Sequence, residues 1–520
     1  MRKFNVTGTC IPRKHYMVDI TNKLEQIKDL VDAEEYFTIN RGRQYGKTTT
    51  LAMLQHFLAD EYTVISLSFQ GVGNESFAHE EAFCSFFLKN IAKALRLTSE
   101  SEAYRKEWND SGVKDFDALK HHISNMCDAK KLVLMIDEVD QVSNHFVFLS
   151  FLGVLRELFL VRDNGIDSTF HSVILAGVYD IKNMKLKLVS EGLHATGPTE
   201  TKIQNSPWNI AVNFNVEMSF NSAEIATMLV DYEADHHTGM NVKEISDEIY
   251  HYTNGYPFLV SRICQCVHLE LEKNWTRKNI QEAIKILLDE KNTLFDDLYK
   301  NLINHQTLAN MLKNILLNGI DYTFNHGTPE IDLGVRYGFL TKKDRIVAVS
   351  NKVFELLMTD YFISQNELNM NIPKITGIRE EVIQNDVLNM ELCLRKFSAH
   401  YAEMYSLKKA PFFEEYGRLL LLTYLIPIIN GQGFYYIENE TLNQNRMDIV
   451  IHYGQEEFVL ELKIWRGEAY QSSAYSQLIG YLESRQLDQG YLITFDFRKS
   501  KKSKAEWVEV EGKRIFDIII

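Results

Sequence analysis

A short loop around Lys47 carries the residue types that bind phosphate. It spans residues 41–48, RGRQYGKT, and we predict a strand before it and a helix after it. Backbone N–H groups at such a helix N-terminus surround phosphate oxygens. Lys47 would reach the β- and γ-phosphates of a nucleotide, and the hydroxyl of Thr48 would ligate Mg²⁺. The strict pattern has a glycine at position 41, where this chain has arginine, so Gly42 would serve one residue later.

An acidic pair ends an apolar segment further along the chain. The segment is LVLMIDEVD, residues 132–140, and its apolar run ends at Asp137 and Glu138. In this arrangement the aspartate holds Mg²⁺ through water, and the next carboxylate polarises the water that attacks the γ-phosphate. A core strand that exits into an acidic turn would look similar. The order of the two motifs, with a strand between them, favours an ATP site with Mg²⁺ held by Thr48 and Asp137.

Two carboxylates and a lysine near the C-terminus form a second group. Asp448 begins the segment DIVI, and Glu461 and Lys463 lie in FVLELK, residues 458–463. Alternation along a strand puts Glu461 and Lys463 on one face, where Asp448 of a neighbouring strand can meet them. Such a group would bind Mg²⁺ or Mn²⁺ through Asp448 and Glu461 and use Lys463 to orient water. The alternative is an exposed hairpin with cross-strand ion pairs, but the flanking valine and leucine residues predict burial.

Alternating strands and helices must position the first site. The segments 36–40, 61–69, 131–137 and 171–178 are short and β-branched, and helical patterns separate them. This alternation predicts a parallel sheet with crossover helices. Residues 221–290 then follow a helical pattern that Asn254-Gly255-Tyr256-Pro257 interrupts.

The rest of the chain predicts two further parts. Helical patterns followed by the hairpin-like GFLTKKDRIVAVSN, residues 338–351, suggest a winged helix, and the polar stretch SQNELNMNIPKIT suggests a linker. We predict an α/β multidomain protein of about three or four domains. The predicted parts are a P-loop ATPase core (1–220), a helical lid (221–292), a winged-helix-like domain (293–362), a linker (363–375) and a nuclease-like α/β domain (376–520).

The first half resembles the AAA-like ATPases of the STAND branch of P-loop NTPases, over about residues 15–290. The resemblance lies in NRGRQYGKTTTL, LVLMIDEVDQV, ILAGVYD and TNGYPFLVSRIC. It implies that ATP contacts Thr49 as well as the loop residues Gly42 and Gly46, and that Pro257 of a G-x-P motif approaches the nucleotide. Arg262 is a candidate arginine finger, although an arginine on a helix is more often solvated or ion-paired. The resemblance also implies a winged helix and self-association.

The C-terminal part resembles the PD-(D/E)XK nuclease superfamily, over about residues 385–498, with Met447 in place of the proline. The resemblance implies a restriction-endonuclease-like fold. It implies a further carboxylate on the helix before the first strand, either Glu415 or Glu414. It also places Gln477 in a Q-x-x-x-Y helix that lines the site; the alternative is a polar residue on a surface helix.

Composition restricts the kind of partner. The formal net charge is −14 with 45% hydrophobic residues, which excludes an overall basic protein and general disorder. Any nucleic-acid site must therefore be local, and the lysine-rich run 498–504 is either such a patch or a solvated loop. Six cysteines without a C-x-x-C pair predict reduced thiols. We see no signal peptide or membrane span and expect a cytoplasmic protein.

Together the motifs predict an ATP-binding and ATP-hydrolysing protein with a metal-dependent nuclease-like domain. It would cut DNA rather than RNA under nucleotide control, and by family analogy fusions of this kind resemble prokaryotic defence or mobile-element proteins. The alternative is an ATP-driven signalling switch whose C-terminal domain only binds nucleic acid or protein. A DNA-binding regulator is a weaker interpretation, because residues 301–317 carry little positive charge.

Overall fold

The protein is described by a computed structural model. It describes residues 2–98, 100–109, 112–128, 130–143, 145–178, 208–318, 320–369, 377–405, 414–429, 433–438, 448–454, 456–465, 468–496 and 504–520.

Four short strands form the parallel sheet that the sequence predicts. They are β1 (Tyr36–Asn40), β2 (Thr63–Ser68), β3 (Leu132–Asp137) and β4 (Ser172–Gly177). Their order is β1-β4-β3-β2, and each neighbouring pair is parallel. Strand β3 is buried at every residue, as expected for a strand with covered faces on both sides. The carboxyl ends of the strands lie at one edge of the sheet, where the phosphate-binding loop leaves β1.

Helices cover this sheet and bury an aromatic core. They are α1 (Thr21–Asp32), α2 (Lys47–Leu58), α3 (Glu80–Ala94), α4 (Glu102–Glu107), α5 (Phe116–Cys127) and α6 (Phe146–Asp163). Phe83 of α3 and Phe151 of α6 lie in ring contact, at 4.8 Å between centroids. Trp108 is fully buried in the same core. This hydrophobic core includes residues of β3, the strand that ends at Asp137.

Four helices follow in the region predicted to be helical. They are α7 (Ser222–His236), α8 (Val242–Thr253), α9 (Pro257–Leu269) and α10 (Arg277–Leu288). Asn221 and Glu224 start α7 with reciprocal side-chain to backbone hydrogen bonds, a capping box. Asn254 and Gly255 both have positive φ, and Pro257 is the first residue of α9. The interruption seen in the sequence is therefore the turn between α8 and α9.

The chain forms two compact units. The first contains Met1–Ile280 and Leu333–Phe339, and the second contains Gln281–Asp332 and Leu340–Ile520.

Short helices and a hairpin follow along the chain, in the region predicted as a winged helix. The elements are α11 (Thr293–Asn304), α12 (Gln306–Asn318), α13 (Pro329–Arg336), β5 (Leu340–Lys343), β6 (Ile346–Val349) and α14 (Lys352–Asn369). Strands β5 and β6 pair antiparallel across a turn in which Asp344 and Arg345 have positive φ. Helix α14 continues into the range 363–375 that we predicted as a linker, since no glycine or proline interrupts it before Pro373. Residues 370–376 lie outside the described part of the chain.

The rest of the second unit is a mixed sheet with helices. The elements are α15 (Ile378–Val382), β7 (Ile383–Gln384), β8 (Val387–Leu388), α16 (Met390–Tyr405), α17 (Glu414–Ile429), β9 (Gly433–Glu438), β10 (Asp448–Tyr453), β11 (Glu456–Ile464), α18 (Glu468–Ser484), β12 (Gln489–Phe495), β13 (Lys504–Val510) and β14 (Lys513–Ile519). The sheet order is β13-β14-β12-β11-β10-β9. Strands β11, β12 and β14 are parallel, and the other pairs are antiparallel. The whole chain is thus α/β and multidomain, with a P-loop sheet and a nuclease-like sheet.

Candidate functional sites

The phosphate-binding loop closes around Lys47. Its ammonium donates to the backbone carbonyl oxygens of Arg41 and Gly42, each at 2.9 Å. Burial lowers the pKa of Lys47, and nearby carboxylates, first Asp140, act in the opposite direction. Gly46 has φ +80° at the start of α2, a conformation that favours glycine. Lys47 therefore lies inside the phosphate-binding loop, where it would contact the phosphates of a bound nucleotide.

Thr48 and Asp137 lie in direct contact. The Thr48 hydroxyl donates to Oδ2 of Asp137 at 2.6 Å, and the Asp137 side chain is buried. Hydroxyl and carboxylate oxygens are the ligands that Mg²⁺ prefers, so this pair fits a magnesium ion. The neighbouring Thr49 hydroxyl accepts from the backbone N–H of Cys10 at 3.1 Å. Thr49, a predicted nucleotide contact, thus also ties the N-terminal segment to α2.

Glu138 follows Asp137 in an uncommon backbone conformation. Its φ is +59° and ψ +37°, the left-handed region that non-glycine residues rarely adopt. Burial, followed by the charges of Asp140 and Asp137, raises the pKa of its carboxyl above the ordinary value. A carboxyl with a raised pKa is a better proton acceptor for water when ionised. This geometry is compatible with the predicted role of Glu138 in polarising water.

The segment Gly255-Tyr256-Pro257 packs on the phosphate-binding loop. The Tyr256 hydroxyl donates to the carbonyl oxygen of Arg43 at 2.5 Å. The rings of Tyr256 and Tyr45 are 4.7 Å apart, and a side-chain carbon of Pro257 is 3.8 Å from the place where a Cβ on Gly46 would lie. Pro257 thus lies beside the loop, as the resemblance implied.

A cavity of about 510 Å³ opens beside these residues. Lys47, Thr48, Glu138 and Pro257 line it, and so does an N-terminal segment, residues 5–20, that contributes Tyr16, Val18 and Ile20. We did not predict this segment as part of the site, because it has no regular period or motif. It gives the cavity an apolar wall, of the kind that binds an aromatic base.

Arg262 lies on α9 and pairs with a neighbouring acid. Its guanidinium donates to Oε1 of Glu270 at 3.0 Å and to Oε1 of Gln265 at 2.9 Å. This pairing agrees with the structural alternative for Arg262, an ion-paired residue on a helix.

Glu461 and Lys463 form a buried ion pair on β11. The Lys463 ammonium is 2.5 Å from Oε1 of Glu461, and each side chain is 4% exposed. The two residues alternate with buried Leu460 and Leu462 on the opposite face. The predicted shared face of Glu461 and Lys463 is therefore observed, and their burial excludes an exposed hairpin.

The backbone brings the other predicted residues to the same domain. Asp448 is the first residue of β10, next to the pair Ile449–Leu460 in the antiparallel register with β11. Glu414 and Glu415 begin α17, a helix that packs against β11. If this register is extended by one residue, position 448 lies opposite Glu461 on the neighbouring strand. Residues 445–447 lie outside the described part of the chain.

Gln477 lies on α18, which packs on β11 and β12. Its amide oxygen is buried and has no hydrogen-bond partner among the residues that the structure describes. Buried polar atoms are normally hydrogen-bonded in folded proteins, so this oxygen is free to accept from a ligand or water. This favours the site-lining role of Gln477 over a surface position. The carboxylate of Glu461, on one of the strands against which α18 packs, is a ligand that a hard divalent cation prefers.

Asp517 is a buried acid that we did not predict. It accepts from the Lys504 ammonium at 2.7 Å and from the Tyr475 hydroxyl. The registers Glu461–Leu492 and Leu492–Asp517 put it on the sheet face of Glu461, two strands away. No local motif surrounds Asp517 in the sequence, so only the strand order could reveal it. Of the basic run 498–504, only Lys504 belongs to the described residues.

Within the described residues, no helix is both long and apolar enough to cross a bilayer.

Two family models match the chain, one for each of its two predicted functional parts. A family model for an AAA-like domain matches residues 16–356, and a model for the PD-(D/E)XK nuclease superfamily matches residues 434–507. No curated protein matches the chain by sequence.

Similar solved structures include a Walker-type ATPase of Pyrococcus abyssi, with 9% identity, TM-score 0.45, and coverage of 68% of this chain and 99% of that one. The ORC2 protein of Aeropyrum pernix in ADPNP–ADP complexes has 12% identity and TM-score 0.36, with 69% and 96% coverage. Because these similarities are low, the assignment rests on the family models and on the site geometry. The chain belongs to the AAA-like domain family and carries a C-terminal domain of the PD-(D/E)XK nuclease superfamily.

Proposed function

We propose that this protein binds and hydrolyses ATP, and that its C-terminal domain cuts phosphodiester bonds of DNA under nucleotide control. The observation that carries the nuclease part is the buried Glu461–Lys463 pair on β11, with Asp448 beginning the adjacent strand. The observation that supports ATP binding and hydrolysis is the hydrogen bond between Thr48, which follows Lys47 in the phosphate-binding loop, and Asp137.

A buried ion pair needs a reason other than stability. Removing two charges from water costs several kcal/mol per ion, and well-packed apolar residues of similar size are often as stable. The Glu461–Lys463 pair therefore supports a chemical role, because it maintains a carboxylate and an ammonium together in a place that excludes water. A simple structural pair would not account for the buried amide oxygen of Gln477 on α18, which has no hydrogen-bond partner among the described residues.

The side chains suit hydrolysis of a phosphodiester. Glu461, with Asp448 at the start of the next strand, would hold a divalent cation, Mg²⁺ or Mn²⁺. When bound, such a cation lowers the pKa of coordinated water and offsets charge on the phosphate. Lys463 donates hydrogen bonds from the same face, and so it can orient the attacking water or stabilise negative charge on phosphate oxygens. In the ATP site, Thr48 and Asp137 would hold Mg²⁺, Lys47 would bind phosphate, and Glu138 would accept a proton from water.

The test is cleavage of plasmid and single-stranded DNA by the full chain with Mg²⁺ or Mn²⁺, with and without ATP. Lys463→Ala should reduce the cleavage rate by roughly 100-fold or more, because it removes the only positive charge that we place at the reacting phosphate. Lys513→Ala is the matched control, since Lys513 lies on β14 of the same sheet and pairs with exposed Asp488. It should cut like the wild type.

Two results would contradict the nuclease part. Equal cutting by wild type and Lys463→Ala would mean that this site does not cut. No cutting with either metal, while ATP still binds, would favour an ATP-driven switch whose C-terminal domain only binds a partner. An RNA substrate of the same length, run in parallel, decides between DNA and RNA.

We further propose prokaryotic defence as the setting, to be tested by phage plating on bacteria that express the wild type or Lys463→Ala.

A further inference from the structure

Thr494 is a second buried polar residue beside Lys463. It lies on β12, which runs parallel to β11, and the register pairs it with Lys463. Paired residues of neighbouring strands share a sheet face, and the strands lie roughly 5 Å apart. The Thr494 side chain is therefore the neighbour of Lys463 across the sheet, on the face that carries Glu461. Thr494 is 2% exposed.

The hydroxyl of Thr494 has no hydrogen-bond partner among the described residues. The same is true of the amide oxygen of Gln477 on α18, the helix that packs on β11 and β12. A buried hydroxyl almost always forms a hydrogen bond in a native protein. Valine has nearly the same shape and would fill the position without this cost. A threonine here therefore suggests a hydrogen bond that forms only when a ligand is bound.

Lys463 itself supplies such a partner. Its ammonium has three donors, and Glu461 accepts one of them. When the carboxylate of Glu461 binds a divalent cation, the cation and the Lys463 ammonium share the same carboxylate oxygen. A buried ammonium without an acceptor is costly, so Lys463 then needs another oxygen. Thr494 offers one from the adjacent strand.

We propose that Thr494 is a positioning residue of the nuclease site, whose hydroxyl accepts a hydrogen bond from Lys463 once Glu461 engages a cation. Lys463 thereby remains directed at the reacting phosphate. The inference rests on the proposed nuclease function and adds a residue that belongs to neither the acidic pair nor the lysine of the motif.

The experiment compares Thr494→Val, which removes the hydroxyl, with Thr494→Ser, which retains it. Three quantities are measured on the full chain: Tm without metal, Mn²⁺ affinity by calorimetry, and kcat and KM for DNA cleavage. Thr494→Val should have a Tm equal to or above that of the wild type, because it removes an unpaired buried hydroxyl. It should bind Mn²⁺ about tenfold more weakly and lower kcat about tenfold, with KM unchanged. Thr494→Ser should restore both.

Thr359→Val is the matched control, since Thr359 is also buried in the second unit but its hydroxyl donates to the carbonyl oxygen of Glu355 at 2.6 Å. It should leave Mn²⁺ affinity and cleavage unchanged. A lower Tm for Thr494→Val, with unchanged Mn²⁺ affinity and kcat, would overturn the proposal and assign Thr494 a structural role.

The Mn²⁺ measurement also separates this inference from the proposed function. A wild type that binds Mn²⁺ but cuts no substrate contradicts the nuclease activity, while the affinity difference between Thr494→Val and Thr494→Ser still decides the role of Thr494. A wild type that binds no Mn²⁺ overturns the proposal, because Glu461 then never releases Lys463.

Discussion

Asp360 shows how a single buried acid makes stability depend on pH. It lies on α14 and accepts a hydrogen bond from the Tyr435 hydroxyl of β9 at 2.9 Å. Burial raises the pKa of its carboxyl from 3.8 to about 6, while the Tyr435 hydrogen bond lowers it and the charge of Asp289 raises it. Between these two pKa values the folded protein binds more protons than the unfolded chain. The free energy of unfolding therefore falls as pH rises from about 4 to about 6.

We expect Asp360→Asn to stabilise the protein at pH 8, by about 2 kcal/mol, because the amide avoids burying a charge and can still accept from Tyr435. The advantage should shrink by about 1 kcal/mol at pH 5, where the wild-type carboxyl is largely protonated. Denaturant unfolding at the two pH values measures this. Asp296→Asn, an exposed change on α11 of the same unit, should show no such difference. An advantage that is equal at both pH values would contradict the assignment.

At the scale of elements, the turn between α8 and α9 depends on Gly255. Its φ is +71°, and a Cβ there would lie 1.7 Å from the carbonyl oxygen of Phe220. Gly239, between α7 and α8, has φ +77° and nothing within 4 Å of such a Cβ. The two glycines share a backbone conformation and differ in the space around them. They therefore separate a conformational cost from a steric one.

We expect Gly239→Ala to cost about 1 kcal/mol, the price of a left-handed alanine. Gly255→Ala should cost more, roughly 3 kcal/mol or above, because the chain must also move away from Phe220. It should weaken ATP binding as well, since Tyr256 next to it holds the Arg43 carbonyl. Thermal unfolding and a nucleotide titration of both variants measure these effects. Equal losses in the two variants would show that the close approach to Phe220 does not matter.

The sequence predicts elements whose signal is local. Lys47, Thr48 and Asp137 stand in contiguous motifs next to β-branched strands, and the structure joins them through the Thr48–Asp137 bond. Glu461 and Lys463 follow from alternation along one strand. By contrast, Asp517 and Thr494 come to the nuclease face only through the order β14-β12-β11, which no local period encodes. The N-terminal wall of the nucleotide cavity was also missed, because its irregular backbone carries no pattern.

At the scale of the whole molecule, the proposed control of cutting by ATP begins at Lys47. Lys47→Ala removes the ammonium that binds the loop carbonyls and would bind phosphates. We expect ATP affinity to fall by about 100-fold and cleavage to become insensitive to ATP. Cleavage assays over a range of ATP concentrations measure this. Lys243→Ala, an exposed change on α8, should behave like the wild type, and an unchanged ATP dependence in Lys47→Ala would refute the coupling.

The seven-residue segment Leu333–Phe339 has a consequence for how this chain can be divided. It groups with the first unit, while the residues on both sides group with the second. In the first unit, the Tyr337 carbonyl oxygen lies 2.7 Å from where a Cβ on Gly42 would be. The phosphate-binding loop therefore packs against a segment that is far downstream in sequence. A stop codon after Ile280 would remove that support, and no single cut yields two complete halves. Translation must therefore pass Phe339 before every residue of the first unit has been synthesised.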